Sequence, residues 1–142
     1  MALSVVIITR NEERNIARCI NSVRTLSDDI VVVDSGSTDR TVAIATELGA
    51  RVSMHTWAGY SAQKNHANAL ARHAYILSLD ADEALSPELT ASIRTAEQAG
   101  WHGAYGFNRL TNYCGRWVRH GGWYPDVKIR IFPKASARWT GD

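Results

Sequence analysis

Ile30-Val31-Val32-Val33-Asp34-Ser35-Gly36-Ser37-Thr38-Asp39 is an unbroken apolar run that passes into acids and small polar residues. Tyr75-Ile76-Leu77-Ser78-Leu79-Asp80-Ala81-Asp82-Glu83 repeats the pattern further along. A short continuous apolar run reads as a strand buried on both faces of a parallel sheet. Ligands of open α/β sheets bind beyond the carboxyl ends of such strands. Two strand ends that both carry carboxylates therefore face one crevice, which suits a divalent cation and a polar, phosphate-bearing ligand.

The segments around these runs complete an alternating pattern. Residues 3–9 read as a first buried strand. Ile16, Cys19, Ile20 and Val23 then recur at i, i+3, i+4 and i+7, one face of a helix, with Asn11 as its cap and Glu12 and Glu13 in its first turn. A second helix is expected from Thr38 or Asp39, turning Val42, Ala45 and Leu48 inward and stopping at Gly49. A short strand at 51–55, a loop at 57–60, and a helix at 62–72 capped by Ser61 follow. Ser86-Pro87-Glu88 starts a helix that Gly100 ends, with Leu89, Ile93 and Ala96 on its inner face. The order β-α-β-α-β-α-β-α predicts an α/β fold, a mostly parallel sheet with helices on both faces. After Gly100, glycines break up aromatic and basic residues. Residues 127–132 alternate and read as a strand with one wet face, ended by Pro133. Asp142 arrives with no closing helix, so the natural chain is expected to run on.

Bulk properties narrow the classes. The chain's 142 residues suffice for one domain, and its 45% hydrophobic and 21% charged content is that of a globular protein. A net charge of +2 is too small to argue for nucleic acid, and no such partner is expected. Basic residues nevertheless gather late: Arg109, Arg116, Arg119, Lys128, Arg130, Lys134 and Arg138 face only Asp126 and Asp142. That half suits phosphates or an anionic membrane surface, or is a solvated basic face. Cys19 and Cys114 make no disulfide framework, and Cys19 belongs to the apolar helix face. The five histidines show no zinc-ligand spacing. No stretch is apolar enough to span a membrane and the start lacks a signal-peptide pattern, so a cytoplasmic setting is the default.

Four constellations could carry chemistry. Asp80 and Asp82, two apart at a strand end, can share a hard cation such as Mg²⁺ or Mn²⁺, whose other ligands come from phosphate and water. The alternative, that they cap the next helix, is weakened because Ser86 fills that role. Asp34 can contact a base or ribose while Ser35 and Gly36 let a ligand approach the backbone, with Asp39 as a helix cap. Gln63-Lys64-Asn65 places a lysine near a helix start, where anions are favoured. In residues 115–126, Trp117 and Trp123 suit sugar stacking, Arg116 and Arg119 suit anions, and His120 is a candidate acid or base. A hydrophobic lid is the plainer reading of that segment. No G-x-G-x-x-G follows the first strand and no P-loop is present.

Residues 3–12, 33–39 and 79–83 together resemble family 2 glycosyltransferases, whose fold is called GT-A. Gln63-Lys64-Asn65 and residues 116–126 resemble a narrower subgroup, the bacterial lipopolysaccharide inner-core β-1,4-glucosyltransferases. The resemblance implies a nucleotide-sugar-binding half over 1–100 and the start of an acceptor-binding half over 101–142, in one domain. It implies that Thr9, Asn11, Glu12, Asp34, Ser35, Gly36, Lys64, Asp80 and Ala81 bind the nucleotide sugar and that Asp82 holds the metal. Arg116, Trp117, Arg119, His120 and Trp123 would lie on the acceptor side. The donor implied is UDP-glucose and the acceptor a heptose of a lipid-linked core, with contact at the inner face of the inner membrane only peripheral. The subgroup's His-Glu pair, beyond Asp142, is absent, which leaves Asp126 as the fallback base for an inverting transfer. A chain without that base reads alternatively as a nucleotide-sugar-binding module. A nucleotidyltransferase would share the sheet and the acids, but Arg10-Asn11-Glu12-Glu13 lacks its glycine-rich signature.

Overall fold

Apolar strands of six or seven residues build the centre of the sheet. The computed structural model describes residues 3–110, 113–119, 127–135 and 139, and the side chains of 3–106, 130–135 and 139. Every residue of β1 (Leu3–Thr9) and of β2 (Asp29–Asp34) is buried. With β3 (Arg51–Met54) and β4 (Tyr75–Asp80) they form a parallel set in the order β3-β2-β1-β4. Successive side chains of a strand point to opposite faces, and the two faces make separate apolar clusters. Leu3, Val5, Ile7, Val32 and Leu79 pack with α1 (Ile16–Val23), α2 (Thr41–Glu47) and α4 (Pro87–Ala99). Val6, Ile8, Val31, Val33 and Ile76 pack with α3 (Tyr60–Leu70) on the other face.

The later strands extend the same sheet. With β5 (Ala84–Leu85), β6 (Tyr105–Leu110), β7 (Tyr113–Arg119) and β8 (Val127–Pro133) the full order is β3-β2-β1-β4-β8-β6-β7-β5. β8 runs antiparallel between β4 and β6, and β6 pairs antiparallel with β7. The two-residue β5 lies parallel to β7 at the edge. The sheet is thus mixed, with a parallel half and a largely antiparallel one, and helices cover both faces of the parallel half.

Helix boundaries follow local chemistry. The four apolar residues expected on the inner face of α1 are all buried. Asn11 does not cap that helix: residues 12–16 first make a tight turn, with the Asn15 and Ile16 amides both donating to the Glu12 carbonyl. Helix α2 starts at Thr41, whose amide donates to Asp39 Oδ1 at 2.9 Å. Ala45 is core and Leu48 packs on it, whereas Thr41 and Ile44 turn inward in place of Val42. Helix α3 begins at Tyr60, after Gly59 with φ 103°, so Ser61 lies inside it. Ser86 caps α4 through the Leu89 amide, and Gly100, with φ 94°, ends it. No helix among the described residues is long and apolar enough to cross a membrane.

Arg130 departs from the alternation expected of its strand. Instead of facing water it is 4% exposed. Its guanidinium makes two 2.7 Å bonds to the carboxylate of Glu83, which is fully buried, and a third to the Ser78 carbonyl at 3.3 Å. The alternating pattern assigns charge to the wet face, but a bidentate partner lets a guanidinium stay inside. Lys134 donates to the carbonyls of Ala71 and Ala69, just past and at the end of α3.

Candidate functional site

The parallel register brings the acidic strand ends together. Thr9 lies opposite Asp34, and Ile8 lies opposite Asp80 on the other side of β1. Beyond these ends opens a cavity of about 490 Å³. Its wall includes Thr9, Arg10, Glu12 and Ser35 from the first two strand ends, and Asp80, Ala81 and Asp82 from the third. Trp57, Tyr60 and Gln63 complete it from the β3–α3 connection and α3. Thr9, Glu12, Ser35, Asp80, Ala81 and Asp82 thus meet as the sequence suggests. Trp57, Tyr60 and Arg10 were not singled out there, since loop aromatics and a lone arginine carry no pattern.

Thr9 is the polar residue most exactingly placed. It is 7% exposed and lines the cavity, and its hydroxyl is buried without a hydrogen-bond partner among the described residues. Buried polar atoms are almost always paired, so an unpaired hydroxyl on a residue of the cavity wall stands out.

Asp34 and Asn11 shape the rim instead of forming the wall. The Asp34 carboxylate accepts the amides of Gly36 and Ser37 at 2.9 and 2.8 Å and also the Ser37 hydroxyl, and the residue is fully buried. That self-contained turn presents Ser35 to the cavity. Asn11 holds a left-handed backbone with φ 52°, which its short amide side chain tolerates. Its Oδ1 accepts the Thr38 amide and its own amide donates to Ser37 Oγ, both at 2.8 Å. The Glu12 amide donates to Thr41 Oγ1, and the Arg40 amide to Glu13. These bonds lace the β1–α1 loop to the β2–α2 loop. Asp39 carries a carboxyl held below its usual range by the Thr41 hydroxyl and amide and the Glu13 amide.

The triplet on α3 divides three tasks. Gln63 is buried and brackets His55, its Oε1 on Nδ1 at 2.8 Å and its Nε2 donating to the carbonyl at 2.9 Å. His66 stacks on His55 at 3.9 Å, and burial, then the His55 charge, pushes its pKa down. Lys64 lies a full turn inside α3, so its role is not that of a charge at the helix start. Its Nζ sits 3.8 Å from Asp80 Oδ1 and 4.2 Å from the centre of the Trp139 ring. Asn65 pins Trp139 by a reciprocal pair of 2.9 Å bonds to its backbone. At the cavity mouth Trp57 and Tyr60 meet edge to face at 4.8 Å, both well exposed.

The turn after β4 is braced from beneath. The Cys19 thiol donates to the Asp80 carbonyl at 3.6 Å and Arg18 Nη2 to the Asp82 carbonyl at 3.3 Å. Among the described residues no three His, Cys, Asp or Glu side chains gather into a cage for a metal. Asp80 and Asp82 are nevertheless hard oxygen donors in one cavity wall. A Mg²⁺ or Mn²⁺ ion typically takes one or two carboxylates and completes its shell with water and phosphate, and this donor set fits it. The side chains of Arg116, Trp117 and Arg119 on β7, and His120, Trp123 and Asp126 altogether, lie outside the described residues.

The comparisons with known proteins agree with this arrangement. An uncharacterized glycosyltransferase of Rickettsia conorii is 50% identical over 91 residues, covering 64% of this chain and 32% of the relative. The lipopolysaccharide core biosynthesis glycosyltransferase LpsC of Rhizobium meliloti is 35% identical over 113 residues, 71% of this chain and 41% of that protein. The chain therefore spans about a third of the length of the first of these and two fifths of the second. Among solved structures, glucosyl-3-phosphoglycerate synthase of Mycobacterium tuberculosis, with Mn²⁺, UDP-glucose and phosphoglyceric acid, superposes with a TM-score of 0.52 at 30% identity. It covers 57% of this chain and 33% of that one. S. aureus TarS shares the fold over 95% of this chain and 29% of its own, with a TM-score of 0.66 and 22% identity. The sheet is GT-A-like, and the family model described as Glycosyl transferase family 2 matches residues 4–140. A match of that extent makes this protein a member of glycosyl transferase family 2.

Proposed function

We propose that this chain is the donor-binding part of an inverting glycosyltransferase that moves glucose from UDP-glucose to a hydroxyl of a glycan acceptor, the heptose of a lipopolysaccharide inner core. One observation carries the reading: Thr9, whose buried hydroxyl has no partner among the described residues, shares a cavity wall with Asp80 and Asp82. Support for the donor comes from the mycobacterial synthase structure with Mn²⁺ and UDP-glucose, and support for the acceptor from the name of the Rhizobium relative.

The side chains then have distinct tasks. Thr9, Glu12 and Ser35 hold the nucleoside from the wall by hydrogen bonds, and Asn11, Asp34 and Gly36 form the rim on which it rests. Trp57 and Tyr60 offer aromatic surface at the mouth. Asp80 and Asp82 hold a divalent cation, Asp82 as the principal ligand, and Ala81 leaves room beside it. That cation, when bound, offsets the charge that builds on the departing diphosphate. Lys64, kept beside Asp80, adds a second positive charge at the same place. In a single displacement the acceptor hydroxyl must also lose a proton, a step a carboxylate base accelerates by roughly 10²–10⁴-fold. Asp126 is the candidate base within this chain, and Arg116, Trp117, Arg119, His120 and Trp123 make up the acceptor side in residues 101–142. A lipid-linked acceptor requires only peripheral contact with a membrane.

Calorimetric titration of UDP with and without Mn²⁺ tests the reading. Mn²⁺ is expected to tighten binding, EDTA to reverse the effect, and Asp82→Ala to remove the metal-dependent gain while the melting temperature holds. UDP binding that ignores both EDTA and the substitution would overturn it. Release of UDP from UDP-glucose in the presence of a heptose acceptor is expected, and binding without release would make the chain a non-catalytic nucleotide-sugar-binding module.

A further inference from the structure

We infer that Glu83 and Arg130 are positioning residues that fix the Asp80-Ala81-Asp82 turn for cation binding and tie that turn to β8. The inference rests on the functional reading above only for the identity of the ligand. Glu83 closes the turn twice. Its amide donates to the Asp80 carbonyl at 3.0 Å, and its Oε1 accepts the Asp80 amide at 2.9 Å. The same oxygen also takes Arg130 Nη1 at 2.7 Å, and Oε2 takes Nη2 at 2.7 Å.

The burial of this pair is hard to explain by stability alone. Glu83 is fully buried and Arg130 is 4% exposed. An apolar pair of similar volume often serves a fold as well or better, because two desolvated charges recover little net energy. What an apolar pair cannot do is grip a backbone amide. The guanidinium holds the carboxylate in a fixed plane, and that carboxylate holds the first residue of the turn. The β4–β8 ladder sharpens the point. Backbone pairing runs to Leu77 opposite Ile131, and one step further Arg130 bonds to the Ser78 carbonyl through its side chain. Strand β8 therefore braces the acidic turn from inside the sheet. Partners that orient ligating carboxylates commonly matter about 10- to 100-fold in metal affinity.

The test uses the double variant Glu83→Leu with Arg130→Met, which removes both charges together and keeps apolar volume. Two readouts are taken on the purified protein: UDP affinity with Mn²⁺ and with EDTA, and hydrogen exchange of the Asp80 amide. The expected result is a loss of about 10- to 100-fold in the Mn²⁺-dependent gain, unchanged affinity in EDTA, and faster exchange at Asp80. A folded double variant that keeps the whole Mn²⁺-dependent gain overturns the inference. Should the apolar pair fail to fold, Arg130→Lys decides, because it keeps the charge but not the fork. A wild-type loss of Mn²⁺ dependence on UDP would sink the functional reading alone. Exchange at Asp80 would then decide for or against the brace.

Discussion

Thr9 shows how a single atom can separate folding from binding. A buried hydroxyl without a partner costs about 1–3 kcal/mol, so Thr9→Val is expected to leave the melting temperature unchanged or raised. The same substitution should weaken UDP binding by a factor of about 2 to 10, the worth of one hydrogen bond. Thermal melts and calorimetry on the same preparation check both signs, and a lower melting temperature with unchanged affinity would place the hydroxyl in the service of the fold. At this scale the sequence is uneven. The place of Asp80 and Asp82 at the cavity is legible because they close an apolar run that reads as a buried strand. That of Arg130 is not, because its partner Glu83 is remote in the chain and alternation treats every charge as wet. Asn11 is misread as a cap since its amide could serve either its own helix or the neighbouring loop, and only the packing of Thr38 against it decides.

Helix α3 is the element on which the cavity and the rest of the sheet both depend. Its Gln63 clamps His55, its His66 stacks beneath, and its Asn65 fastens Trp139. Burial of His66, with the His55 charge beside it, fixes the sign of a pH effect. The imidazole of His66 takes up a proton at the ordinary value of 6.5 when unfolded and only at lower pH when folded. Between those two values the unfolded state binds more protons, so acidification favours it. The contribution of neutral His66 is complete above pH 6.5 and falls away as the pH drops through the folded value. Melting temperatures of wild type and His66→Phe, followed from neutral pH into that range, are expected to diverge in slope, the variant declining less. Parallel slopes would show that the stack does not sense protons. The existence of α3 was readable from sequence, but its start was not. Ser61 is a strong cap by type, yet Gly59 with its positive φ begins the helix earlier.

The whole molecule is organised around β1, flanked on both sides by parallel partners and buried throughout. Ile7, fully buried at its middle, packs in the larger apolar cluster. Ile7→Ala is expected to cost about 2–5 kcal/mol by removing methyl groups from a site that cannot collapse. A denaturant titration should show a lower midpoint at unchanged slope, and a loss well below that range would mean the core is not centred on this strand. The parallel half was readable because continuous apolar runs leave few alternatives. The strands β5, β6 and β7 were not: β5 has only two residues, and glycines and polar residues interrupt the period of β6 and β7. Strand β8, late in the chain, takes an inner position beside β4. During synthesis β1 to β4 precede β8, and one flank of β4 stays open until β8 is made. Until residues beyond Val127 are synthesised, the nascent protein carries an unpaired strand edge, and chaperone binding should be strongest in that interval.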